Sequence, residues 1–113
     1  MVYRDDHERC PRCGDELVDA GSVRACTACR GMWATQEVLV EMAANMRSPP
    51  QRMPLPCVPD PSRQPLACPT CQEPMGTWKL HSIEIDRCER DGIWFDRDEL
   101  ERVLFASFQN VAR

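Results

Sequence analysis

The sequence predicts a small α+β fold made of two tandem copies of one unit, each a β-hairpin followed by one helix. The first supporting observation is a repeat, since Cys10-Pro-Arg-Cys13 recurs as Cys68-Pro-Thr-Cys71 and each is followed by at least one further cysteine and by Gly-x-Trp. The second is unit size, because about 40 residues seldom bury enough apolar surface to fold without a staple. The third is the supply of eight cysteines, enough for a staple in each unit.

A proline-rich segment separates the two units. Seven of the ten prolines lie between Ser48 and Pro65. Proline at this density removes amide donors and favours extended polyproline conformations, so we expect a semi-stiff spacer and not a folded element. The predicted division is a first unit at 1–47, a Pro-rich linker at 48–66 and a second unit at 67–113.

The cysteine spacing favours a bound metal over disulfides. The two sulfurs of a Cys-x-x-Cys step, or knuckle, face one point, whereas structural disulfides more often join cysteines distant in sequence. The N-terminal residues show no apolar run typical of a signal peptide, and no stretch has the length of a membrane span. We therefore expect a cytoplasmic location and a small metal-stabilised α+β fold.

The first unit carries a four-thiolate pattern. Its candidate metal ligands are Cys10, Cys13, Cys26 and Cys29. Their spacing, Cys-x2-Cys-x12-Cys-x2-Cys, is close to that of a structural zinc site. Gly14 allows the positive φ that the turn after a knuckle needs. Two short strands, 16–20 and 22–26, are predicted around Gly21 and return the second knuckle to the first.

A helix is predicted after this hairpin, from about Gln36 to Met46, with Thr35 as its cap. Its apolar residues recur at helical spacing: Val38, Leu39, Met42, Ala43 and Met46. We interpret this stripe, together with Trp33, as the core of the first unit. An exposed groove for a partner is the alternative.

The second unit departs from the first at its fourth ligand position. Asp91 stands where the repeat predicts a cysteine, and a carboxylate oxygen is an acceptable zinc ligand. The candidate ligands of the second site are Cys68, Cys71, Cys88 and Asp91. The alternatives for the fourth position are Cys57 from the linker, His81 at the turn of a hairpin predicted over 75–88, and a water molecule.

The second helix begins with a capping-box sequence, in which Asp96 is the cap and Glu99 occupies the third helical position. Apolar residues then follow at helical spacing towards the C-terminus, beginning with Leu100 and Val103. Phe105 falls off this stripe, which makes it a candidate for a contact surface.

Both units resemble the bacterial transcription factor IIB-type zinc-ribbon family. The resemblance lies in the Cys-Pro-x-Cys knuckle, a hairpin, a second Cys-x-x-Cys or Cys-x-x-Asp step, and the run Gly-x-Trp-x-Asp-x-x-Glu-Leu. The second unit matches this run at Gly92, Trp94, Asp96, Glu99 and Leu100. The first departs from it at Ala34 and Thr35. The resemblance implies two tandem zinc ribbons, each a zinc-knuckle hairpin followed by one helix, and suggests a role near transcription.

Charge and site type limit the possible functions. The net charge is −4, and with seven thiols ionised and two Zn²⁺ ions bound it becomes −7, a poor balance for holding a polyanion. Catalytic zinc needs an open coordination position and a cleft, so we expect no enzyme activity and no small-molecule substrate. The leading hypothesis is a non-enzymatic adaptor that binds a protein partner. The alternatives are a nucleic-acid-binding ribbon and a thiol-redox or metal-transfer protein that uses Cys57.

Overall fold

The computed structural model describes residues 8–46 and 57–111, with side chains up to residue 106. In this part of the chain the elements are β1 (Val18–Ala20), β2 (Val23–Ala25), β3 (Met32–Ala34), α1 (Gln36–Asn45), β4 (Cys57–Pro59), β5 (Gly76–Leu80), β6 (Ile83–Cys88), β7 (Gly92–Phe95) and α2 (Glu99–Val111). None of the described helices is long and apolar enough to cross a membrane.

Each unit contains three antiparallel strands, one more than the hairpin that the sequence predicts. The hairpins β1–β2 and β5–β6 are extended by β3 and β7, which are built from the Gly-x-Trp steps. Gly21 forms the first hairpin turn with φ +83°, a conformation that glycine adopts without steric cost. The third strand has no sequence signal of its own, because a three- or four-residue apolar run shows no alternation.

The two units join edge to edge into one seven-stranded sheet, in the order β1-β2-β3-β7-β6-β5-β4. Strands β3 and β7 form the junction, where Trp33 lies opposite Trp94. The flanking pairs are Met32 with Phe95 and Ala34 with Ile93. In the repeat Met32 corresponds to Ile93 and Ala34 to Phe95, so the two pairs are equivalent to each other. This register has the two-fold self-complementarity of an isologous dimer interface.

Residues 57–66 show that the prediction of a spacer is wrong for this part of the proposed linker. Strand β4 pairs with β5 and forms one edge of the sheet, and the Asp60 amide donates to the Thr77 carbonyl of β5 at 2.8 Å. The Arg63 guanidinium binds the carboxylates of Asp60 and Asp86. Proline is compatible with this role because an edge strand needs hydrogen bonds on only one side. The rest of the predicted linker, 48–56, lies outside the described residues.

Successive residues of β3 and β7 point to opposite faces of the sheet, and each face carries its own apolar cluster. The helix-side cluster contains Val23, Ala34, Leu39, Leu80, Ile85, Ile93, Phe95, Leu100 and Val103. The cysteine-side cluster contains Cys10, Leu17, Cys26, Trp33, Cys68, Met75 and Trp94. Both clusters draw residues from both units, so the units share their core.

The two helices begin differently. In α1 the Thr35 hydroxyl accepts a hydrogen bond from the Val38 amide at 3.1 Å, as an N-cap does. In α2 the Glu99 carboxylate accepts from the Asp96 amide at 2.9 Å, which is one half of a capping box. The other half is missing, because the Asp96 carboxylate accepts hydrogen bonds from Arg12 and from the Trp94 indole instead.

Glu99 makes the stability of the protein depend on pH. Burial raises the pKa of its carboxyl from 4.5 to about 7, with the Asp96 and Asp86 charges adding to the shift and Arg102 opposing it. Between these values the folded state holds a proton that the unfolded chain has released, so stability falls as pH rises. We expect Glu99→Gln, which keeps an acceptor for the Asp96 amide, to stabilise the protein by about 2 kcal/mol at pH 7.5.

The measurement is urea unfolding of the zinc-loaded parent and variant between pH 5 and 8. The stability difference should shrink as the pH falls to 5, and it vanishes only below about pH 4.5, where Glu99 is protonated in the unfolded chain as well. Protonation of the cysteines is common to both proteins and cancels in the difference. Glu101→Gln, at an exposed position in the same helical turn, is the control and should show no such trend. A pH-independent difference for Glu99→Gln would contradict the prediction.

Candidate metal centres

The first cluster consists of Cys10, Cys13, Cys26 and Cys29, the four cysteines that the sequence proposes for the first unit. Their sulfurs all lie within 4.8 Å of one another, and the sulfurs of Cys13 and Cys26 are 3.6 Å apart. Cys10 and Cys26 are buried, whereas Cys13 is exposed. The cluster thus has one side in the shared core and one side towards solvent.

Local backbone geometry builds each knuckle of the first cluster. The amide of Arg12 donates to the Cys10 sulfur at 3.3 Å, and the amide of Cys29 donates to the Cys26 sulfur at 3.2 Å. Gly14 closes the first turn with φ +83°, and its amide bonds the Cys10 carbonyl at 2.9 Å. Amides that point at sulfur stabilise the thiolate form, which is the form that binds a metal.

The second cluster consists of Cys68, Cys71, Cys88 and Asp91. Its ligand atoms also lie within 4.8 Å of one another. An Asp91 carboxylate oxygen is 3.5 Å from the Cys68 sulfur and 3.4 Å from the Cys88 sulfur, and the sulfurs of Cys71 and Cys88 are 3.9 Å apart. The amides of Thr70 and Cys71 both donate to the Cys68 sulfur, as in the first cluster.

These separations fit a tetrahedral zinc ion. With Zn–S bonds of about 2.3 Å and a Zn–O bond of about 2.0 Å, tetrahedral geometry places two sulfurs about 3.8 Å apart and a sulfur and an oxygen about 3.5 Å apart. The observed distances are 3.6 and 3.9 Å between sulfurs and 3.4 and 3.5 Å between sulfur and oxygen. The donor sets therefore suit Zn²⁺, and the Asp91 oxygen is placed where a fourth ligand belongs.

The other proposed fourth ligands lie elsewhere. Cys57 is in β4, opposite Leu80, and packs against the helix-side cluster. Burial raises the pKa of its thiol, although Arg87 opposes this shift. His81 lies at the turn of the β5–β6 hairpin with φ +53°. Within the described residues, neither of them joins a cluster of metal-ligand atoms.

Thiols packed this closely require a cation to ionise together. Burial raises the pKa of Cys68 to about 12. The pKa of Cys29 is also raised to about 12, mainly by its hydrogen bond with Cys13 and to a smaller extent by burial. A bound divalent ion reverses this effect because it binds thiolates directly. The loops are thus preorganised for a metal and disfavour the fully ionised state without one.

The sequence did not reveal how the two clusters are connected. Trp33 and Trp94, both nearly inaccessible to solvent, pack with cysteines of both clusters on one face of the sheet. Gly31 and Gly92 each lie against the other unit's tryptophan. The one signal in the sequence is the recurrence of Gly-x-Trp in both units, from which the sequence analysis assigns Trp33 only to the core of its own unit.

The small α+β fold and the two four-residue clusters fit zinc ribbons. Residues 67–106 match the model of a family described as the transcription factor zinc-finger, the TFIIB-type zinc ribbon. The match covers most of the second unit, and the four cysteines at 10–29 form a similar cluster in the first. Searches of curated proteins and of solved structures found no match.

Proposed function

We propose that this protein is a non-enzymatic module of two tandem TFIIB-type zinc ribbons, each holding one Zn²⁺. The first ion is held by Cys10, Cys13, Cys26 and Cys29, and the second by Cys68, Cys71, Cys88 and Asp91. The observation that carries this proposal is the pair of four-ligand clusters with near-tetrahedral spacing. Four protein ligands leave no position for water or substrate, so the bound ions crosslink the loops and supply no catalysis.

The module acts, in this proposal, as an adaptor that binds a protein in the bacterial cytoplasm, in a role connected to transcription. The family described for residues 67–106 supports the connection to transcription. On α2 the side chain of Phe105 is 59% exposed while Leu100 and Val103 are buried. An exposed aromatic side chain gains free energy when a partner covers it, and aromatic residues are enriched in protein interfaces.

Two arginines of the first unit that could bind phosphate, Arg12 and Arg24, form ion pairs within the protein. Arg12 forms a bidentate pair with Asp96, with its nitrogens at 2.9 and 2.7 Å from the carboxylate oxygens. Arg24 pairs with Glu8 at 3.2 Å. An arginine that is already neutralised by a carboxylate contributes less to phosphate binding and counter-ion release. These pairs favour the protein partner over nucleic acid.

Phe105→Ala tests the interaction surface. In a crosslinking pull-down from bacterial lysate, followed by binding measurements with the captured purified protein, we expect the variant to bind about tenfold more weakly, as for an aromatic interface residue. Arg102→Ala, exposed on the same helix, is the control and should bind like the parent. Both variants should keep the parent's zinc content and melting temperature, since neither side chain is buried.

A mobility-shift assay with single- and double-stranded DNA and RNA at low ionic strength separates the alternative. We expect no shift. A shift that weakens steeply with added salt, together with unchanged protein binding by Phe105→Ala, would favour a nucleic-acid-binding ribbon. Thiol redox or metal transfer predicts rapid labelling of Cys57 or Cys88 in the zinc-loaded protein, whereas the proposal predicts slow labelling of Cys88 until a chelator is added.

A further inference from the structure

We infer that the two zinc ions bind cooperatively, because each ribbon completes the fold that holds the other ribbon's ligands. This inference rests on the proposed zinc binding and adds the relation between the two sites. Three sets of contacts connect the clusters: a shared apolar core, two reciprocal glycine–tryptophan contacts, and two polar bridges that start from the knuckles.

The shared core is the cysteine-side cluster. Trp33 of the first unit and Trp94 of the second lie opposite each other on β3 and β7. They are 4% and 0% exposed, and they pack with buried ligands of both sites, Cys10 and Cys26 on one side and Cys68 on the other. A ribbon whose partner is unfolded would expose its tryptophan to water, which is unfavourable for a large aromatic side chain.

The glycines of the two Gly-x-Trp steps allow the units to approach closely. A Cβ atom on Gly31 would overlap the Trp94 ring, and one on Gly92 would lie 2.6 Å from the Ala34 carbonyl oxygen and 3.3 Å from the Trp33 ring. Gly31 lies two residues after Cys29 and Gly92 lies directly after Asp91, in each case the last proposed ligand of its own site. The segment that leaves each metal cluster is thus in van der Waals contact with the other unit.

Polar bridges start from equivalent positions inside the two first knuckles. Arg12, between Cys10 and Cys13, binds Asp96 of the second unit through two hydrogen bonds. Thr70, between Cys68 and Cys71, donates its hydroxyl hydrogen bond to Glu8 of the first unit. The same residues donate their backbone amides to the ligand sulfurs of Cys10 and Cys68. Each knuckle therefore contacts its own metal site and the opposite unit at once.

These contacts have a thermodynamic consequence. Metal binding to a small zinc unit is also its folding reaction, so the first ion provides the energy that orders one ribbon. The ordered ribbon presents its half of the β3–β7 junction, the tryptophan pocket and one polar bridge. The second ribbon then folds around its ion against a preformed surface. By linkage, filling of either site raises the affinity of the other by the same factor.

Native mass spectrometry of the reduced full-length chain, equilibrated at buffered free Zn²⁺ concentrations, tests the inference. Independent sites of any two affinities leave at least half of the molecules with one ion at half saturation. Coupling of tenfold to a hundredfold between equally strong sites reduces the singly loaded fraction to about a quarter or a tenth. We expect a fraction below one third, and a fraction of one half or more overturns cooperative binding.

Arg12→Ala distinguishes coupling through the junction from other causes, since it keeps all eight ligands. We expect its singly loaded fraction at half saturation to rise by about twofold, as expected for loss of a charge-assisted bidentate bridge. Arg97→Ala removes an exposed arginine whose ion pair is with its neighbour Asp98, and it should behave like the parent. Equal singly loaded fractions in all three proteins would show that the Arg12–Asp96 bridge does not couple the sites, and would overturn coupling through the knuckles.

Failure of the inference and failure of the proposed function give different results. Two ions per chain with a singly loaded fraction of one half or more leaves the zinc proposal intact and removes cooperativity. A chain that binds no Zn²⁺, or that keeps its fold with all thiols reduced and no metal, contradicts the proposed function itself.

Discussion

Removal of zinc by a strong chelator under reducing conditions is expected to unfold the whole protein. Apparent binding free energies of structural zinc in small domains are about 10–16 kcal/mol per ion, while the net stability of a typical domain is only about 5–15 kcal/mol. Three of the proposed ligands, Cys10, Cys26 and Cys68, are buried in the same apolar cluster as Trp33 and Trp94. Loss of the ions leaves several thiols facing one another in the core of the sheet, where burial disfavours their ionisation.

Tryptophan fluorescence and circular dichroism measure this unfolding. The emission should shift to the red as Trp33 and Trp94 enter water, and the β-sheet signal should be lost. Added Zn²⁺ should restore both signals, whereas Mg²⁺ should not, because it prefers oxygen ligands. A metal-free, reduced protein that retains these signals and unfolds cooperatively in urea would contradict the prediction.

Single substitutions refine the same prediction. Cys26→Ser, at a ligand that is 1% exposed, should unfold the first ribbon or abolish zinc binding there. Asp91→Ala should leave three thiolates in the second site and release that ion to a competing chelator at least about tenfold faster than the parent does. Cys57→Ser is the control, because this cysteine lies in β4 away from both clusters and its loss should leave two ions bound.

Gly31→Ala is expected to destabilise the protein by about 3 kcal/mol, the upper end of the range for overpacking a well-packed core. The added methyl group would overlap the Trp94 ring, and it would also lie 3.0 Å from the Phe95 carbonyl oxygen. Trp94 is fully buried and donates its indole hydrogen bond to Asp96 at 3.0 Å, so it has little freedom to move away. The strands of the junction must separate to accommodate the methyl group.

Gly76→Ala is a matched control for this prediction. A methyl group there would also meet a tryptophan, with the Trp78 indole nitrogen at 2.6 Å, but this side chain is only half-buried and can rotate outward. We expect a cost below about 1 kcal/mol, typical of a surface substitution. Urea unfolding of the zinc-loaded proteins measures both values. Equal destabilisation by the two substitutions would show that the junction between the units is not as tightly packed as the structure indicates.

A double mutant isolates the contact. If overlap with Trp94 causes the effect, Gly31→Ala should cost less in a Trp94→Leu background than in the parent. The expected coupling energy is about 1 kcal/mol or more, as for residues in direct contact. Additive effects would assign the cost of Gly31→Ala to the backbone.

The sequence by itself determined the local parts of the structure. The knuckles, the Gly21 turn and the Thr35 cap each depend on residues within about four positions of one another, where spacing and side-chain chemistry are sufficient. The placement of Asp91 in the second cluster also followed from register, because the repeat left one ligand position to fill. The buried positions of Leu39 and Ala43 on α1 followed from helical periodicity.

Only the tertiary structure decided how these parts are joined. Whether the Gly-x-Trp step forms a strand depends on a partner strand about 60 residues away in the chain, so no local pattern encodes it. The same holds for β4. Its prolines predict a spacer, but the segment forms a strand because it pairs with β5. The Asp96 carboxylate likewise binds Arg12 and does not cap its own helix, because the paired strands bring the Arg12 guanidinium within hydrogen-bonding distance. Local chemistry is set by neighbours in sequence, whereas the junction and the shared core depend on how the strands and apolar faces of one unit fit those of the other.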